Sequence, residues 1–294
     1  MYDAIIVGGS YAGLSAALQL ARARRRLLVV DAGKRRNRFA PTSHGFLTQD
    51  GRAPGDIAAD ARAQLMAYPT VAWADGEATS AEQGNTGFAI AVGASRHEAK
   101  RLVLATGVSD TLPAIPGLAE RWGKSVFHCP YCHGYELDQG DIGVLGVSAL
   151  SMHHALMLPD WGRTTFFLNG AFEPDAEQMA QLQARGVSVE RQPIREMAGE
   201  RADLTLTDGR VARLDGLFTM TRTSPSSPLA EELGCAFEDS PIGPFVKTDV
   251  TKETSVPGVF ACGDLARAAG SVALSVGDGA MAGLGTHRSL MFGI

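Results

Sequence analysis

Two cysteines separated by two residues, Cys129 and Cys132, are the side chains best suited to redox chemistry in this sequence. A pair at this spacing can close a small disulfide ring, and a cationic neighbour can lower the pKa of one thiol so that its thiolate exchanges with other disulfides. His128 directly precedes the pair and His133 directly follows it. Half of a zinc site is the alternative, but a structural zinc needs four ligands and the sequence has no second CxxC and no HxxxH. The pattern therefore predicts a redox pair and no metal site.

A glycine-rich turn follows the first apolar run of the chain. Residues 4–7 are apolar and β-branched, which indicates a buried parallel strand, and residues 8–13 then occupy the GxGxxG pattern of dinucleotide-binding turns. Serine replaces the second glycine of that pattern. An acid ends the next apolar run, where such sites bind a ribose hydroxyl. The alternative is a turn that only packs a helix on a strand. If the segment is a dinucleotide site, its binding residues are Gly8, Ser10, Ala12, Gly13 and Asp31.

Two later segments carry the same kind of signal. Residues 102–107 form an apolar strand pattern that ends in Ala-Thr-Gly, and residues 254–264 form another that ends in Gly-Asp. In this order the segments resemble the flavoproteins with two dinucleotide-binding domains. The resemblance implies that the chain binds FAD and that Asp264 hydrogen-bonds the ribityl chain. It also implies a helix that begins near Ser271 and Val272 and directs its N-terminus at the flavin pyrimidine. The same site would include Thr106, Gly107 and Gly263.

The order of strand, glycine turn and helix returns in the middle of the chain. It covers residues 142–158 and is followed by a strand pattern at 164–168, while Pro/Gly clusters at 113–117 and 241–244 suggest two crossings. We therefore predict an α/β protein with two Rossmann-like, three-layer nucleotide-binding domains, the second inserted into the first. Residues 1–112 and 246–294 would form the FAD-binding domain. Residues 113–245 would form a central module that is like an NAD(P) domain and carries the cysteine pair.

A cysteine pair in the central module of so short a chain resembles the low-molecular-weight thioredoxin reductases, and the resemblance covers essentially the whole chain. It implies that Cys132 lies against the flavin and passes electrons to it, that Cys129 exchanges with the substrate, and that the protein is a homodimer. The acid that usually follows the second cysteine in that family is replaced by His133. Because an imidazole with a pKa near neutrality can take and give a proton, we expect His133 to be the general acid and base.

The central nucleotide turn departs from the pattern that binds a pyridine nucleotide. After Gly146 the turn continues with Val147 and Ser148, which would crowd a pyrophosphate, and residues 164–184 contain no Lys or Arg to bind a 2′-phosphate. NAD(P)H use is therefore doubtful. These departures resemble the FAD-dependent dithiol oxidases, which close disulfides in small natural products and return the electrons to oxygen.

Three functions remain open at this point. The preferred one is oxidation of a dithiol through Cys129, Cys132 and FAD, with oxygen as the acceptor. The alternatives are an NAD(P)H-dependent thioredoxin or disulfide reductase and a non-enzymatic flavin redox sensor. The partner would be a small dithiol or disulfide, or else a thioredoxin-like protein.

Charge and hydropathy exclude other classes. The 294 residues have a net charge of −5, although residues 22–38 hold eight Lys/Arg against Asp31 alone. Because the acidic remainder would repel phosphate backbones, we expect no nucleic-acid partner and assign the basic run to a solvated helix end and a loop near a bound phosphate. No apolar stretch reaches the length of a membrane span, and Asp3 stands where a signal peptide would be basic. A cytoplasmic protein without a membrane partner is expected.

Overall fold

The computed structural model describes residues 1–293 and contains two parallel β-sheets flanked by helices, which confirms the predicted fold class. No helix in this range is both long and apolar enough to cross a membrane. The strands are β1 (Tyr2–Val7), β2 (Leu27–Asp31), β3 (Val71–Asp75), β4 (Ala78–Gly84), β5 (Gly87–Val92), β6 (Ser95–Leu104), β7 (Val108–Thr111), β8 (Val126–Phe127), β9 (Gln139–Leu145), β10 (Gly162–Phe167), β11 (Ser188–Glu190), β12 (Ile194–Ala198), β13 (Asp203–Leu206), β14 (Val211–Ala212), β15 (Gly216–Thr219), β16 (Arg222–Pro225), β17 (Phe237–Glu238), β18 (Phe245–Val246) and β19 (Val259–Ala261). The helices are α1 (Tyr11–Arg22), α2 (Pro54–Met66), α3 (Pro130–His133), α4 (Met152–Met157), α5 (Ala176–Ala184), α6 (Leu229–Glu232) and α7 (Val272–Phe292).

The first sheet has the parallel strand order β3, β2, β1, β6, and β19 runs parallel to β6 on the side away from β1. The hairpin of β4 and β5 extends the sheet with antiparallel pairing to β6. Residues 4–7 of β1, 27–30 of β2 and 102–104 of β6 are apolar and buried, as expected of strands that are covered on both faces. The carboxyl ends of these strands meet at one edge, where ligands bind in sheets of this class.

α1 and α7 pack side by side on one face of the first sheet. They run parallel and close together, since a Cβ at Gly279 would lie 2.0 Å from the carbonyl oxygen of Ala12 and one at Gly283 would lie 2.6 Å from that of Ala16. Both helices therefore bring their N-termini to the same edge of the sheet.

The second sheet has the parallel strand order β11, β10, β9, β15, β8. α4 and α5 cover one face, and the small antiparallel sheet of β12, β13 and β14 covers the other. The helical stretch expected after Gly146 is interrupted, because α4 is flanked by 3-10 turns at Ala149–Ser151 and Leu158–Asp160. The second unit thus keeps the Rossmann strand order with a short first helix.

An antiparallel ribbon of β7 and β16 joins the two sheets. Beyond this ribbon, Leu229, Ala230 and Cys235 pack into the hydrophobic core of the first sheet together with Ile5 and Val30. The sequence predicts that residues 226–245 belong to the central module, but these three side chains are buried against the first sheet. We therefore move the proposed return crossing from residue 245 to β16.

Candidate active site

A cavity of about 640 Å³ lies at the carboxyl ends of β1, β2 and β6. Its wall includes residues from both sheets, so it lies where the two modules meet. Gly13 and Cys129 are not part of the wall. The other residues predicted from the sequence all line it: Gly8, Ser10, Ala12, Asp31, Thr106, Gly107, Cys132, His133, Gly263, Asp264, Ser271 and Val272.

The first glycine turn packs so closely against neighbouring backbone that side chains at its glycines would not fit. Gly8 has φ of +109°, and a Cβ there would lie 2.3 Å from the carbonyl oxygen of Ala105. A Cβ at Gly13 would lie 1.8 Å from the carbonyl oxygen of Gly8, so the third glycine permits the packing of α1 on β1. Ser10 is the N-cap of α1, and no side chain among residues 1–293 caps this helix. Its first-turn amides are therefore available to a phosphate, which the helix dipole also favours.

Charged side chains after β2 line the same cavity, which places the second half of the basic run beside the glycine turn. The Nε atom of Arg35 is buried and has no hydrogen-bond partner within the described part of the chain. A buried N–H group is costly when it has no acceptor, and a diphosphate in the cavity could supply one to this half-buried side chain. Asp31 accepts a hydrogen bond from the Gly9 amide over 3.0 Å, which fixes its carboxylate at the end of β2. The basic wall residues are Lys34, Arg35, Arg36 and Arg38.

The carboxylate expected to bind the ribityl chain lies beside the N-terminus of α7. Asp264 accepts hydrogen bonds from Arg36 over 2.8 Å and from the Ser275 hydroxyl over 3.3 Å. Ser271 is the N-cap of α7, and its Oγ accepts a hydrogen bond from the Leu274 amide over 3.2 Å. The turn after β19 and the start of α7 therefore form one continuous part of the wall.

The cysteine pair lies at the start of a short helix. α3 begins directly after Cys129, which stands at the N-cap position, and the Cys132 amide donates to the Cys129 carbonyl over 3.2 Å. The two sulfurs are joined in a disulfide, with the Cα atoms 5.3 Å apart. Cys132 is on the cavity wall together with the glycine turn, and Cys129 is not.

Two histidines that flank the disulfide line the cavity as neutral rings. Burial, followed by the charges of His128 and His44, lowers the pKa of His133 to about 4, and its ring stacks on Phe127 with centroids 4.4 Å apart. Burial, followed by the charge of Arg36, lowers the pKa of His128 to about 4. His133 therefore does not titrate near neutrality as the sequence suggested. At pH 7 its ring is neutral, and so low a pKa makes it a weak base while the disulfide is closed.

Several wall residues were not singled out as site residues from the sequence. His128 was visible beside Cys129, and Arg36 lay within the basic run. No sequence pattern around His44 indicates a site. In the structure its Nδ1 lies 3.2 Å from Oε1 of Glu136, and its ring meets that of His133 edge-on with centroids 6.5 Å apart. Cys262 directly precedes Gly263, and burial raises the pKa of its thiol to about 12, so this cysteine stays protonated and unreactive at neutral pH.

The second nucleotide turn is closed by its own side chains. The Val147 amide donates to Oγ of Ser151 over 3.0 Å, and the Leu150 amide donates to Oγ of Ser148 over 3.3 Å. At the end of β10, the side chain of Asn169 accepts a hydrogen bond from the Ile194 amide over 2.9 Å. Two of the amides that such a turn would offer to a pyrophosphate, and the side chain at the end of β10, are therefore engaged within the chain.

Residues 2–280 match the family of pyridine nucleotide-disulphide oxidoreductases, and the chain belongs to this family. A protein named thioredoxin reductase aclD, from Aspergillus oryzae, is 31% identical over 312 residues, which cover 99% of this chain and 97% of the relative. The crystal structure of an oxidoreductase from Agrobacterium tumefaciens is 60% identical with a TM-score of 0.97 and covers 99% of both chains. The crystal structure of HlmI is 35% identical with a TM-score of 0.90 and covers 98% of this chain and 92% of HlmI.

The protein is thus an oxidoreductase with a thioredoxin reductase-like fold. Members of this family combine a flavin with a pyridine nucleotide in general. The first turn suits that general pattern, whereas the internal hydrogen bonds of the second turn, made by the Val147 and Leu150 amides, depart from it.

Proposed function

We propose that the protein is an FAD-dependent dithiol oxidase that uses the Cys129–Cys132 disulfide and returns the electrons to oxygen. The observation that carries the proposal is a contrast between the two nucleotide turns. The first turn offers uncapped amides to a cavity that Cys132 shares, whereas Val147 and Leu150 in the second turn donate to serine hydroxyls of the same turn.

The residues of the cavity suit FAD. The N-terminus of α1 and the unpartnered Arg35 would hold the diphosphate, and Asp31 the adenosine ribose. Asp264 would hold the ribityl hydroxyls, with Ser271 and Val272 near the pyrimidine. When bound, FAD supplies the two-electron acceptor that returns the cysteine pair to the disulfide and the means of passing the electrons to oxygen.

The chain itself performs the thiol–disulfide exchange. A substrate thiolate attacks the sulfur of Cys129, which breaks the disulfide, forms a mixed disulfide and leaves Cys132 as a thiolate on the cavity wall. The Cys132 thiolate, once formed next to His133, favours protonation of its ring, so His133 can accept the proton of the second substrate thiol. That second thiolate attacks the substrate sulfur of the mixed disulfide and displaces Cys129, so the product leaves with one new disulfide and both cysteines are reduced.

An NAD(P)H-dependent disulfide reductase is the second candidate. The family name and the names of relatives such as thioredoxin reductase aclD favour it. Against it, the first charged side chain after β10 is the acid Glu173, which would repel the 2′-phosphate of NADPH. A thioredoxin-like protein would then be the partner, instead of a small dithiol.

Anaerobic stopped-flow reduction of the flavin separates the two candidates. A dithiol such as dithiothreitol should bleach the flavin readily, NADPH and NADH should bleach it poorly, and oxygen should restore it. The double variant Cys129→Ser/Cys132→Ser should lose the response to dithiol, and the matched variant Cys235→Ser, at a buried cysteine outside the disulfide, should keep it. Rapid bleaching by micromolar NADPH would favour the reductase. Redox-dependent partner binding without sustained turnover would favour a sensor.

A further inference from the structure

Arg36 joins two carboxylates that come from distant parts of the chain. Its Nε and Nη2 donate to the two oxygens of Asp110 over 2.8 and 2.7 Å, and its Nη1 donates to Oδ2 of Asp264 over 2.8 Å. Asp110 lies on β7, and Asp264 lies in the turn after β19. All three side chains line the cavity described above. One planar guanidinium therefore sets the relative position of both carboxylates.

Asp110 is held on its other side by a residue of the interdomain ribbon. Oγ1 of Thr221, which directly precedes β16, donates to Oδ1 of Asp110 over 2.7 Å. Burial alone would raise the pKa of Asp110, but the hydrogen bonds and charge of Arg36 and the Thr221 hydroxyl hold it below its usual value. Asp110 is therefore ionised at neutral pH, and Arg36 has a charged and well-fixed anchor.

Asp264 has weaker restraints of its own. Its Oδ1 accepts from the Ser275 hydroxyl at 3.3 Å, which is long for a bond between two oxygens. A Cβ at Gly270 would lie 2.0 Å from the same oxygen, so only a glycine at this position lets the backbone before α7 lie so close to the Asp264 carboxylate. The orientation of Asp264 consequently depends mainly on Arg36.

We propose that Arg36 is a positioning residue for the flavin half of the cofactor site. Anchored by Asp110 and Thr221, it orients Asp264 toward the polyol hydroxyls of the bound cofactor and links that carboxylate to the β7–β16 ribbon. This inference rests on the proposed FAD site. Arg36 acts through Asp264 and not on the ADP half, which the Gly8–Gly13 turn and Asp31 would hold.

This role differs in a measurable way from that of an ion pair that only stabilises the fold. Loss of an ion pair of that kind would lower the stability of the apoprotein and would not change the affinity for FAD relative to that for ADP. A positioning residue for the polyol should weaken FAD binding and leave ADP binding unchanged, because ADP lacks the ribityl chain.

The test compares ligand affinities of flavin-stripped protein by calorimetry with FAD and with ADP as separate probes. We expect Arg36→Gln to raise the dissociation constant for FAD by about tenfold or more, the scale of a lost charge-assisted hydrogen bond, with that for ADP changed by less than about twofold. Arg36→Lys keeps the charge but not the fork and should fall between Arg36→Gln and the unmodified chain. The matched control is Arg163→Gln, which breaks a two-pronged pair with Asp141 on the exposed surface and should change neither constant.

Thr221→Val is the milder variant, and it tests the positioning role of Arg36 if Arg36→Gln does not fold. It removes only the hydroxyl that holds Asp110, and it should weaken FAD binding measurably while ADP binding stays the same, with at most a modest fall in the apoprotein unfolding temperature. Equal losses for FAD and ADP, or an unchanged FAD constant in both Arg36→Gln and Thr221→Val, would overturn the inference. Failure of the unmodified chain to bind FAD would instead overturn the proposed function.

Discussion

The backbone amide of Val147 donates a hydrogen bond to the hydroxyl of Ser151 over 3.0 Å, at the position where a dinucleotide-binding turn would offer that amide to a pyrophosphate. Ser151 is fully buried, so the bond is shielded from water. In the equivalent turn the Gly9 amide donates to Asp31 over 3.0 Å, but the amides at the start of α1 have no side-chain partner among the described residues. The difference lies at the helix start, where the amides of α1 have no side-chain partner and the Leu150 amide donates to Ser148.

We therefore expect NADPH to bind weakly at equilibrium as well as to react slowly. Losing two or three charge-assisted phosphate contacts, each of about 1.5–3 kcal/mol, weakens binding by several hundredfold or more. Calorimetric titration with NADPH and NADH measures this directly. Ser151→Ala frees the Val147 amide without supplying a basic side chain, and it should leave NADPH binding weak. Tight binding by the unmodified chain would contradict the interpretation of this turn.

The two cysteines should differ in their contact with the flavin, since Cys132 lines the cavity and Cys129 does not. Cys129→Ser leaves the Cys132 thiol free and should produce a long-wavelength charge-transfer band between its thiolate and the oxidised flavin. Cys132→Ser should give no such band. The test is to record absorbance spectra of both variants over a range of pH and to compare the intensity of the charge-transfer band. If the band appears only in Cys132→Ser, the two roles are reversed.

Apolar side chains exposed along α7 support the expected homodimer. Leu274, Met281, Leu284 and Met291 lie on one side of this helix and are each between 43% and 54% exposed. Met281→Glu would place a charge in the interface and should shift a dimer to monomer in analytical ultracentrifugation. Met66→Glu, at a similarly exposed methionine on α2, should leave the mass unchanged. A monomeric unmodified chain would remove the basis for the dimer.

The sequence was sufficient for features that depend on local pattern. The βαβ order and the glycine turn follow from apolar periodicity and from glycines whose Cβ atoms would clash, at Gly8 and Gly13 above all. Long-range relationships were not accessible in this way. Arg36 meets its partners Asp110 and Asp264 across 74 and 228 residues, and no local pattern encodes such a pairing.

The ionisation state of the site and the division of the chain also required the three-dimensional structure. The pKa of His133 depends on burial and on His128 and His44, the second of which comes from a loop far away in the sequence. Leu229 and Cys235 looked like part of the central module because they follow it along the chain, yet they are buried against the first sheet. Burial and charge are properties of the packed structure, so neither could be derived from residue order.

The buried ring of His154, on α4, makes the stability of the protein sensitive to acid. Burial, followed by the charges of His153 and His128, lowers the pKa of His154 to about 4 from an ordinary value near 6.5, and its Nδ1 has no hydrogen-bond partner among residues 1–293. Between pH 6.5 and 4 the unfolded chain therefore binds a proton at this residue that the folded chain does not. The free energy of unfolding must fall as the pH falls through this window.

His154→Leu should remove the part of this loss that is due to His154, which amounts to about 2 kcal/mol between pH 7 and pH 5. Urea unfolding at the two pH values, with FAD in excess, measures the difference in the free energy of unfolding. Leu158→Ala is the matched control, because Leu158 is fully buried in the same core and carries no titrating group. It should lower stability by a similar amount at both pH values. If His154→Leu keeps the acid sensitivity of the unmodified chain, His154 is not the source of it, and the two histidines beside the disulfide become the residues to test.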